Sequence, residues 1–251
     1  MAFNTGLATI TASSLYSSTA SPADGIFPGQ IAWDDKTGKA FRYSLAGGTL
    51  VVGNLLQASA EDTTYENMAV LASPIATLGA QQTVNVTNGT ATITSAQFQG
   101  GSLSVYTAGG EAVGYEYTIL GITGVLTTGG ALVVTIDRPI GTAWTTSLKV
   151  NMKRSMWSGI IQFPATTQTG IPAGVAIYPI ASGEYGWVQT HGVCSVLSDG
   201  STFAVGSNVG SVSGTAGAVT VYDAATTLAA VGMAQQAAAS GKGISVFLQI
   251  D

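Results

Sequence analysis

Thr83–Thr94 reads TVNVTNGTATIT. Apolar and polar residues alternate on both sides of Asn88-Gly89, the period that sends successive side chains to opposite faces of a strand. Val, Ile and Thr dominate, as a pleated surface favours. Asn-Gly between two such runs predicts a β-hairpin, because both turn positions of the favoured two-residue loop need positive φ. The same pattern recurs outward from this stretch. Gly100-Gly101 precedes Ser102–Tyr106, Gly109-Gly110 precedes Ala112–Leu120, Gly129-Gly130 precedes Ala131–Ile136, and Ser147–Met152 ends the series. Upstream, Gln30–Trp33 and Ala40–Leu45 flank the turn-rich stretch Asp34–Lys39. Short strands with glycine punctuation and no helical period predict an all-β chain of barrel or sandwich modules with little helix.

Four segments follow from these shifts in pattern. Residues 1–27 carry isolated apolar side chains, Phe3, Leu7, Ile10, Leu15 and Tyr16, in a Ser/Thr/Ala background too weak to fold alone. The segment reads either as an arm that orders against another surface, with those five residues as its contacts, or as a frayed terminus. Residues 28–67 form a β-hairpin segment expected to pack with the C-terminal part, and end in the polar stretch 58–67, a linker or short helix. Residues 68–155 form a middle β module.

Residues 156–251 form a C-terminal domain containing a repeat. Gly174–Val188 reads GVAIYPIASGEYGWV and Gly232–Val246 reads GMAQQAAASGKGISV, 58 residues later and without a gap. The repeat decides an ambiguity. Leu228–Ala239 is Ala-rich and in isolation favours helix, but the matching segment carries Pro179, which would break one. Both copies therefore read mainly as strand, with room for a helical turn near Ala237–Ser240.

Composition narrows the function. Hydrophobic residues make up 46%, enough for a packed interior. Charged residues make up only 8%, against roughly 25% in an ordinary soluble domain. A surface so poor in charge is weakly protected against association, which favours a chain whose surface is covered by partners over a monomeric Ser/Thr/Gly-rich protein. The net charge of −5 disfavours nucleic-acid binding. Arg138, Lys149, Lys153 and Arg154 are half of the basic residues and lie close in sequence, as a local anion patch or the solvated face of a strand pair. A single cysteine, Cys194, precludes an internal disulfide. With no Lys or Arg before Lys36 and no apolar run of about 20 residues, neither a secretion signal nor a membrane helix is expected. Synthesis in the cytoplasm follows as an expectation.

Chemistry-bearing motifs are sparse. One histidine, His191, rules out a two-histidine metal site within the chain. It reads as a strand end, without a nucleophile elbow to serve. Cys194 lies in an apolar strand context and reads as a small buried hydrophobe. Asp34-Asp35 and Glu61-Asp62 lie in polar turns, where carboxylates are ordinary turn formers. Glu116 stands in a strand with no evident carboxylate partner for glycoside hydrolysis. Gly38-Lys39 and Gly241-Lys242 lack the Ser or Thr of a phosphate loop. Trp33, Trp144, Trp157 and Trp187 occur singly, as packing residues do. No catalytic residue, metal ligand or cofactor is expected.

The Gly-Val-Ala, Ala-Ser-Gly and alternating-strand pattern stands at Gly174–Val188 and again at Gly232–Ile250. Short Val/Ala runs lie between Gly206, Gly210, Gly214 and Gly217. In these features the last third of the chain resembles phage head-decoration (capsid cement) proteins. The resemblance implies a mostly β protein, often a homotrimer, that sits on the capsid exterior and clamps subunits of the major capsid protein, with no catalytic residues. Neither nucleic acid nor membrane is an expected partner. The middle module has no counterpart in the smallest such proteins. The alternative expectation is a tail or surface β domain that binds host glycans, which aromatic residues clustered on one exposed face would favour.

Overall fold

A computed structural model describes residues 12–22, 25–71, 82–89, 92–223, 229–237 and 242–251. The chain is nearly all β, 44% strand and 3% helix. It divides into two compact units. The first is Met1–Ala60 with Met156–Asp251, and the second is Glu61–Ser155.

The first unit begins with a single helical turn, α1 (Ala12–Leu15), then β1 (Ile31–Asp34), β2 (Lys39–Ala46) and β3 (Leu55–Gln57). The second unit contributes β4 (Met68–Ala69), β5 (Thr83–Thr87), β6 (Ser102–Thr107), β7 (Glu116–Gly124), β8 (Ala131–Ile136) and β9 (Lys149–Lys153). The chain returns to the first unit with β10 (Ser158–Gln162), β11 (Pro172–Ala176), β12 (Tyr185–Leu197), β13 (Asn208–Ser211), β14 (Val219–Val221), β15 (Ala230–Ala234) and β16 (Gly243–Gln249).

In the first unit the ladder runs β2-β10-β3-β11-β12, and β12 pairs back onto β2, which closes a ring of strands. From β12 it continues through β16, β15, β13 and β14, and a parallel bridge between Ser198 and Val219 brings β14 to the end of β12. Two small barrels therefore share one 13-residue strand. The front of β12, from Tyr185, completes the first barrel. Its back, from His191 to Leu197, opens the second. β12 alternates strictly only over its second half, where one face meets the core and the other meets solvent.

The two barrels are copies of one another. Ala176 pairs with Val188 in the first, and Ala234 with Val246 in the second. Pro172, Gly174 and Val175 oppose Gln57, Leu56 and Leu55, with an irregularity between Pro172 and Gly174. Ala230, Gly232 and Met233 oppose Gly210, Val209 and Asn208, with the irregularity at the same place. Parallel contact of β10 with β2 at Ile160 and Ala46 matches the Val219–Ser198 bridge. The match extends to turns: Gly53 N–H donates to the Ala176 carbonyl at 2.8 Å, and Gly206 N–H to that of Ala234 at 2.8 Å. Both glycines hold positive φ, +79° and +84°, which a side chain would oppose. Gly174 and Gly232 are glycine for a shared reason. A Cβ would lie 2.9 Å from the Gln189 carbonyl oxygen in one copy and 2.1 Å from that of Phe247 in the other.

The repeat seen at Gly174–Val188 is thus the last hairpin of a larger duplication. β2, β3 and β10 of the first copy correspond to the back of β12, β13 and β14 of the second. Where the second copy joins β13 to β14 through residues 212–218, the first copy holds the whole second unit. The two barrels are also joined through their cores. Leu55, Phe163 and Val175 point away from the first barrel's interior and pack with Val196, Phe203, Val209, Val246 and Leu248 of the second. The first interior is filled separately by Leu50, Leu56, Ile160, Ile180 and Val188.

The second unit is a third barrel, ordered β4-β9-β6-β7-β8-β5 and closed by an antiparallel bridge between Val70 and Val86. It starts at Glu61 rather than at residue 68. The polar stretch holds a 3₁₀ turn, Thr63–Tyr65, capped by the Asp62 carboxylate, and Tyr65 is buried edge-on against Phe98 at 4.7 Å. Among the described residues the hairpin expected at Asn88-Gly89 is not present. β5 pairs along its whole length with β8, Thr83 opposite Thr135 through Thr87 opposite Ala131. The buried Asn88 turns its amide inward and donates to the Leu126 and Thr127 carbonyls, at 3.1 and 2.8 Å, while its backbone N–H donates to Gly130. Gly89 passes so close to the Thr64 carbonyl that a Cβ would lie 2.3 Å from it. Tertiary hydrogen bonds outweigh the local turn preference there. The possible helical turn near Ala237–Ser240 falls largely outside the described residues.

Candidate interaction surface

Duplication makes the outer faces of the two barrels comparable residue by residue. On the first barrel that face carries Phe41 and Tyr43 from β2 with Tyr185 and Trp187 from β12. Phe41, Tyr43 and Trp187 are buried, although they lie outside the barrel. Tyr43 stacks on Tyr185 at 5.8 Å and meets Trp187 at 5.1 Å. The cover is the chain's own N-terminal part. Leu15 and Ile26 pack on the cluster, Thr19 exchanges backbone hydrogen bonds with Tyr185 at 3.0 and 2.8 Å, and the Ser18 hydroxyl donates to Glu184. Gly29 donates to Tyr43 and Tyr43 to Gln30, which fastens the end of the cover.

The corresponding positions on the second barrel are Val193 for Phe41, Ser195 for Tyr43, Ser245 for Trp187 and Phe247 for Gln189. Here Val193 and Ser195 are exposed, and Ser245 and Phe247 half-buried. Met233, which pairs with Phe247 across the ladder, is 39% exposed. The reason lies in the connectivity. β2 is preceded by a free stretch of chain that folds back over it. The back half of β12 is preceded by β11 and its own front half, which are built into the first barrel. Among the described residues no equivalent segment covers the second face.

His191 lies within β12, at the irregularity where the strand passes from one barrel to the other, not at a strand end. Its ring stands 5.6 Å from Trp33 and 5.2 Å, edge-on, from Phe247. Its Nδ1 lies 3.2 Å from the Asp251 carbonyl oxygen. Arg42 anchors the same region by pairing with the Asp251 carboxylate, donating to the Gly29 carbonyl at 2.7 Å, and lying over the Trp157 ring at 4.6 Å. Trp33, 41% exposed, thus extends the open face into a band in which Trp33, Val193 and Met233 are exposed and His191 and Phe247 half-buried. A cleft of about 520 Å³ runs beside this band. Its lining is mixed: Tyr16, Phe41 and Val52, the charged Asp34 and Lys39, and Val193, Ser195 and Ser245.

The five residues expected to make contacts divide accordingly. Phe3, Leu7 and Ile10 lie outside the described residues. Leu15 packs on the first barrel's outer cluster, and Tyr16, 58% exposed, stands on the cleft wall.

Several ionisable groups have structural partners, among them Asp34, which lines the cleft. Asp34 is held below the usual carboxylate range, first by the Thr37 hydroxyl and then by the Lys36 N–H. Glu61 is lowered by its hydrogen bond and charge pairing with Lys153, and Arg154 lies 3.7 Å from Asp62. Burial pushes the Cys194 thiol up to about 11. Glu116 is exposed at the start of β7.

Among the described residues the buried acid is Glu111, which sequence reasoning passed over. It accepts from the Tyr117 hydroxyl at 2.6 Å, the Gly141 N–H at 2.7 Å and the Trp144 indole at 2.7 Å. Its Gly109-Gly110-Glu111 context looks like an ordinary turn, and nothing local marks the two aromatic donors downstream. Among the described residues no group of three His, Cys, Asp or Glu is placed to hold a metal ion. No protein-family model, no curated protein and no solved structure matches the chain.

Proposed function

We propose that the chain is a non-enzymatic virion protein that decorates the outside of a phage capsid and stabilises it by clamping coat subunits. The observation that carries this reading is the open apolar face of the second barrel, on a body with too little surface charge to resist association. The resemblance to cement proteins adds to it, since the residues that carry it form the matching hairpins of the two barrels. The partners are the major capsid protein and further copies of the chain, as a closed cyclic oligomer, a trimer, whose equivalent faces are all satisfied on a local symmetry axis. Binding the assembled shell but not free coat subunits favours assembly by mass action. Many weak contacts on one lattice act at high effective concentration. No step of this role needs a proton, metal or nucleophile, and Glu111 and Cys194 are both in structural use.

The test compares shells with and without the protein. Co-sedimentation with shells, and decorated shells breaking at a higher temperature than bare ones, are the expected results. Equal breakage temperatures would overturn the clamping role. A second reading, a β domain that binds glycans, is favoured by the clustering of Trp33, His191 and Phe247 on one face. Saturable glycan binding lost in Trp33→Ala, with no affinity for shells, would decide for it.

A further inference from the structure

The N-terminal cover of the first barrel is thinly attached. Of its described residues, 15–22 and 25–30, only Pro28 is buried. Its backbone meets the barrel at two places, the Thr19–Tyr185 bridge and the exchange of Gly29 and Gln30 with Tyr43. Leu15 and Ile26 add apolar contact, and the Ser18 hydroxyl donates to Glu184. A segment with few buried contacts opens locally at a lower free energy than the barrel beneath it. Under this one lie Phe41, Tyr43 and Trp187, none more than 4% exposed.

One side chain ties the cover to Asp251. Arg42, on β2, donates from Nη1 to the Gly29 carbonyl at 2.7 Å, and its Nε and Nη2 pair with the Asp251 carboxylate. The Trp157 ring lies 4.6 Å from the guanidinium carbon. The planar fork of a guanidinium holds two acceptors at once, which a lysine ammonium on its flexible stem is poorly shaped to do. Asp251 is placed in turn by the second barrel. It follows β16, the preceding Ile250 N–H donates to the Thr190 carbonyl at 3.1 Å, and the Asp251 carbonyl oxygen lies 3.2 Å from His191 Nδ1. The Arg42 and Asp251 side chains are only 22% and 20% exposed, which shields the pair from the screening that makes exposed ion pairs weak.

We infer that Arg42 and Asp251 form a clasp, which keeps residues 15–30 closed over the aromatic cluster and whose release lets the cover lift while both barrels stay folded. The acid of the clasp comes from the end of β16, the strand that carries Phe247 on the outer face of the second barrel. Displacing Asp251 there therefore loosens the cover of the first barrel. Lifting the cover presents Phe41, Tyr43, Tyr185 and Trp187 as a second aromatic face. This inference does not depend on the decoration reading.

Amide hydrogen exchange on the full chain tests it. The Thr19, Gly29, Tyr43 and Tyr185 amides donate across the cover, and the β12–β16 ladder around Cys194 and Val246 is the internal control. In wild type the cover amides should exchange faster than the ladder. Asp251→Ala should speed them about tenfold, the lower end of what a charge-assisted hydrogen bond is worth, and leave the ladder unchanged. Arg42→Lys, which keeps the charge without the fork, should act alike, and Asp251→Glu, which keeps the carboxylate, should stay within about threefold of wild type. Hydroxyl-radical labelling of Tyr43 and Trp187 should rise in Asp251→Ala.

Unchanged cover exchange in Asp251→Ala would overturn the clasp. Equal acceleration of cover and ladder would show that the pair stabilises the whole unit, and wild-type cover amides as slow as the ladder would show that the cover does not lift by itself; either result sinks the inference. Asp251→Glu exchanging as fast as Asp251→Ala would remove the carboxylate as the holding group.

Discussion

Replacing Glu111 by Ala tests whether the middle barrel is pinned by one buried carboxylate. The side chain is 1% exposed and ties the start of β7, through Tyr117, to the segment after β8, through Gly141 and Trp144. Alanine removes three hydrogen bonds to a charged acceptor. The Gly141 N–H keeps a longer contact to the Tyr117 oxygen at 3.2 Å, so two donors, the Tyr117 hydroxyl and the Trp144 indole, lose their partner outright. At roughly 1–3 kcal/mol for each stranded buried donor, the two together give an expected loss of about 2–6 kcal/mol. That is a large share of the roughly 5–15 kcal/mol that holds an ordinary domain folded. Glutamine keeps one oxygen for Tyr117 and Gly141 but turns an amide donor towards the indole, and should cost about 1–3 kcal/mol. Urea titration of the full chain, followed by amide exchange at β7 and β8 against β12 and β16, assigns the loss to one unit. With a slope of about 2 kcal/mol per molar urea, the middle-barrel midpoint should fall by about 2 M in the alanine variant. The two-barrel unit should keep its midpoint. A shift of less than about 0.5 kcal/mol for alanine would mean that water replaces the carboxylate, and the pinning argument would be wrong.

Three further outcomes follow from the fold. Excising residues 61–155 and joining the ends with the 212–218 connection of the second barrel should leave a folded, cooperatively melting β protein. An excised chain that shows no cooperative melt would refute the insertion. Trp187→Ala, under the N-terminal cover, should cost about 3–5 kcal/mol, whereas Phe247→Ala on the open face should cost about 1 kcal/mol; equal losses by chemical denaturation would contradict the covered and open assignment. Burial raises Tyr117 to about 12 and Cys194 to about 11 in the folded chain. Their stabilisation is complete below their unfolded values, near 10 and 8.5, and is lost as pH rises through those values to the folded ones. Stability should therefore fall between about pH 9 and pH 12, with about 3 kcal/mol of the fall from the two-unit Tyr117 shift, and a clearly shallower fall in Tyr117→Phe/Cys194→Ala would confirm the source, the remainder coming from Tyr65 and Tyr185, which burial also raises. An undiminished fall in that double variant would refute it.

How much of this was legible in the sequence depended on whether the signal was local. Ala131–Ile136 reads as a strand and is one, residue for residue, because its alternation and its glycine boundary lie within a single element. The Gly174 and Gly232 repeat was visible because both copies keep the close strand approach that excludes a Cβ. The rest of the duplication was hidden. The second unit interrupts the first copy between β3 and β10, so corresponding strands lie at unequal separations. The outward residues also differ in kind, with Tyr43 and Trp187 against Ser195 and Ser245. Asn88-Gly89 misled for the opposite reason: its local preference is strong, but the partner strand of β5 lies beyond two intervening strands. Glu111 was invisible because its meaning depends on Tyr117 and Trp144, which the barrel brings to it.

The contrast between the two outer faces has one physical source, the sharing of β12. A strand that ends one barrel and begins the next removes the connecting loop. It also removes the length of chain that would have covered the second barrel as residues 15–30 cover the first. The residues at the uncovered positions fit that condition only in part. Ser195 and Ser245 replace large aromatics and lower the cost of exposure, but Val193, Phe247 and Met233 do not, and no charge stands among them. A face that needed only solubility would gain from a single Lys or Glu at any of these positions, at a cost near zero on an exposed strand. Among the described residues, apolar side chains with no charge among them on the outer face of the second barrel are the feature on which the proposed binding role rests.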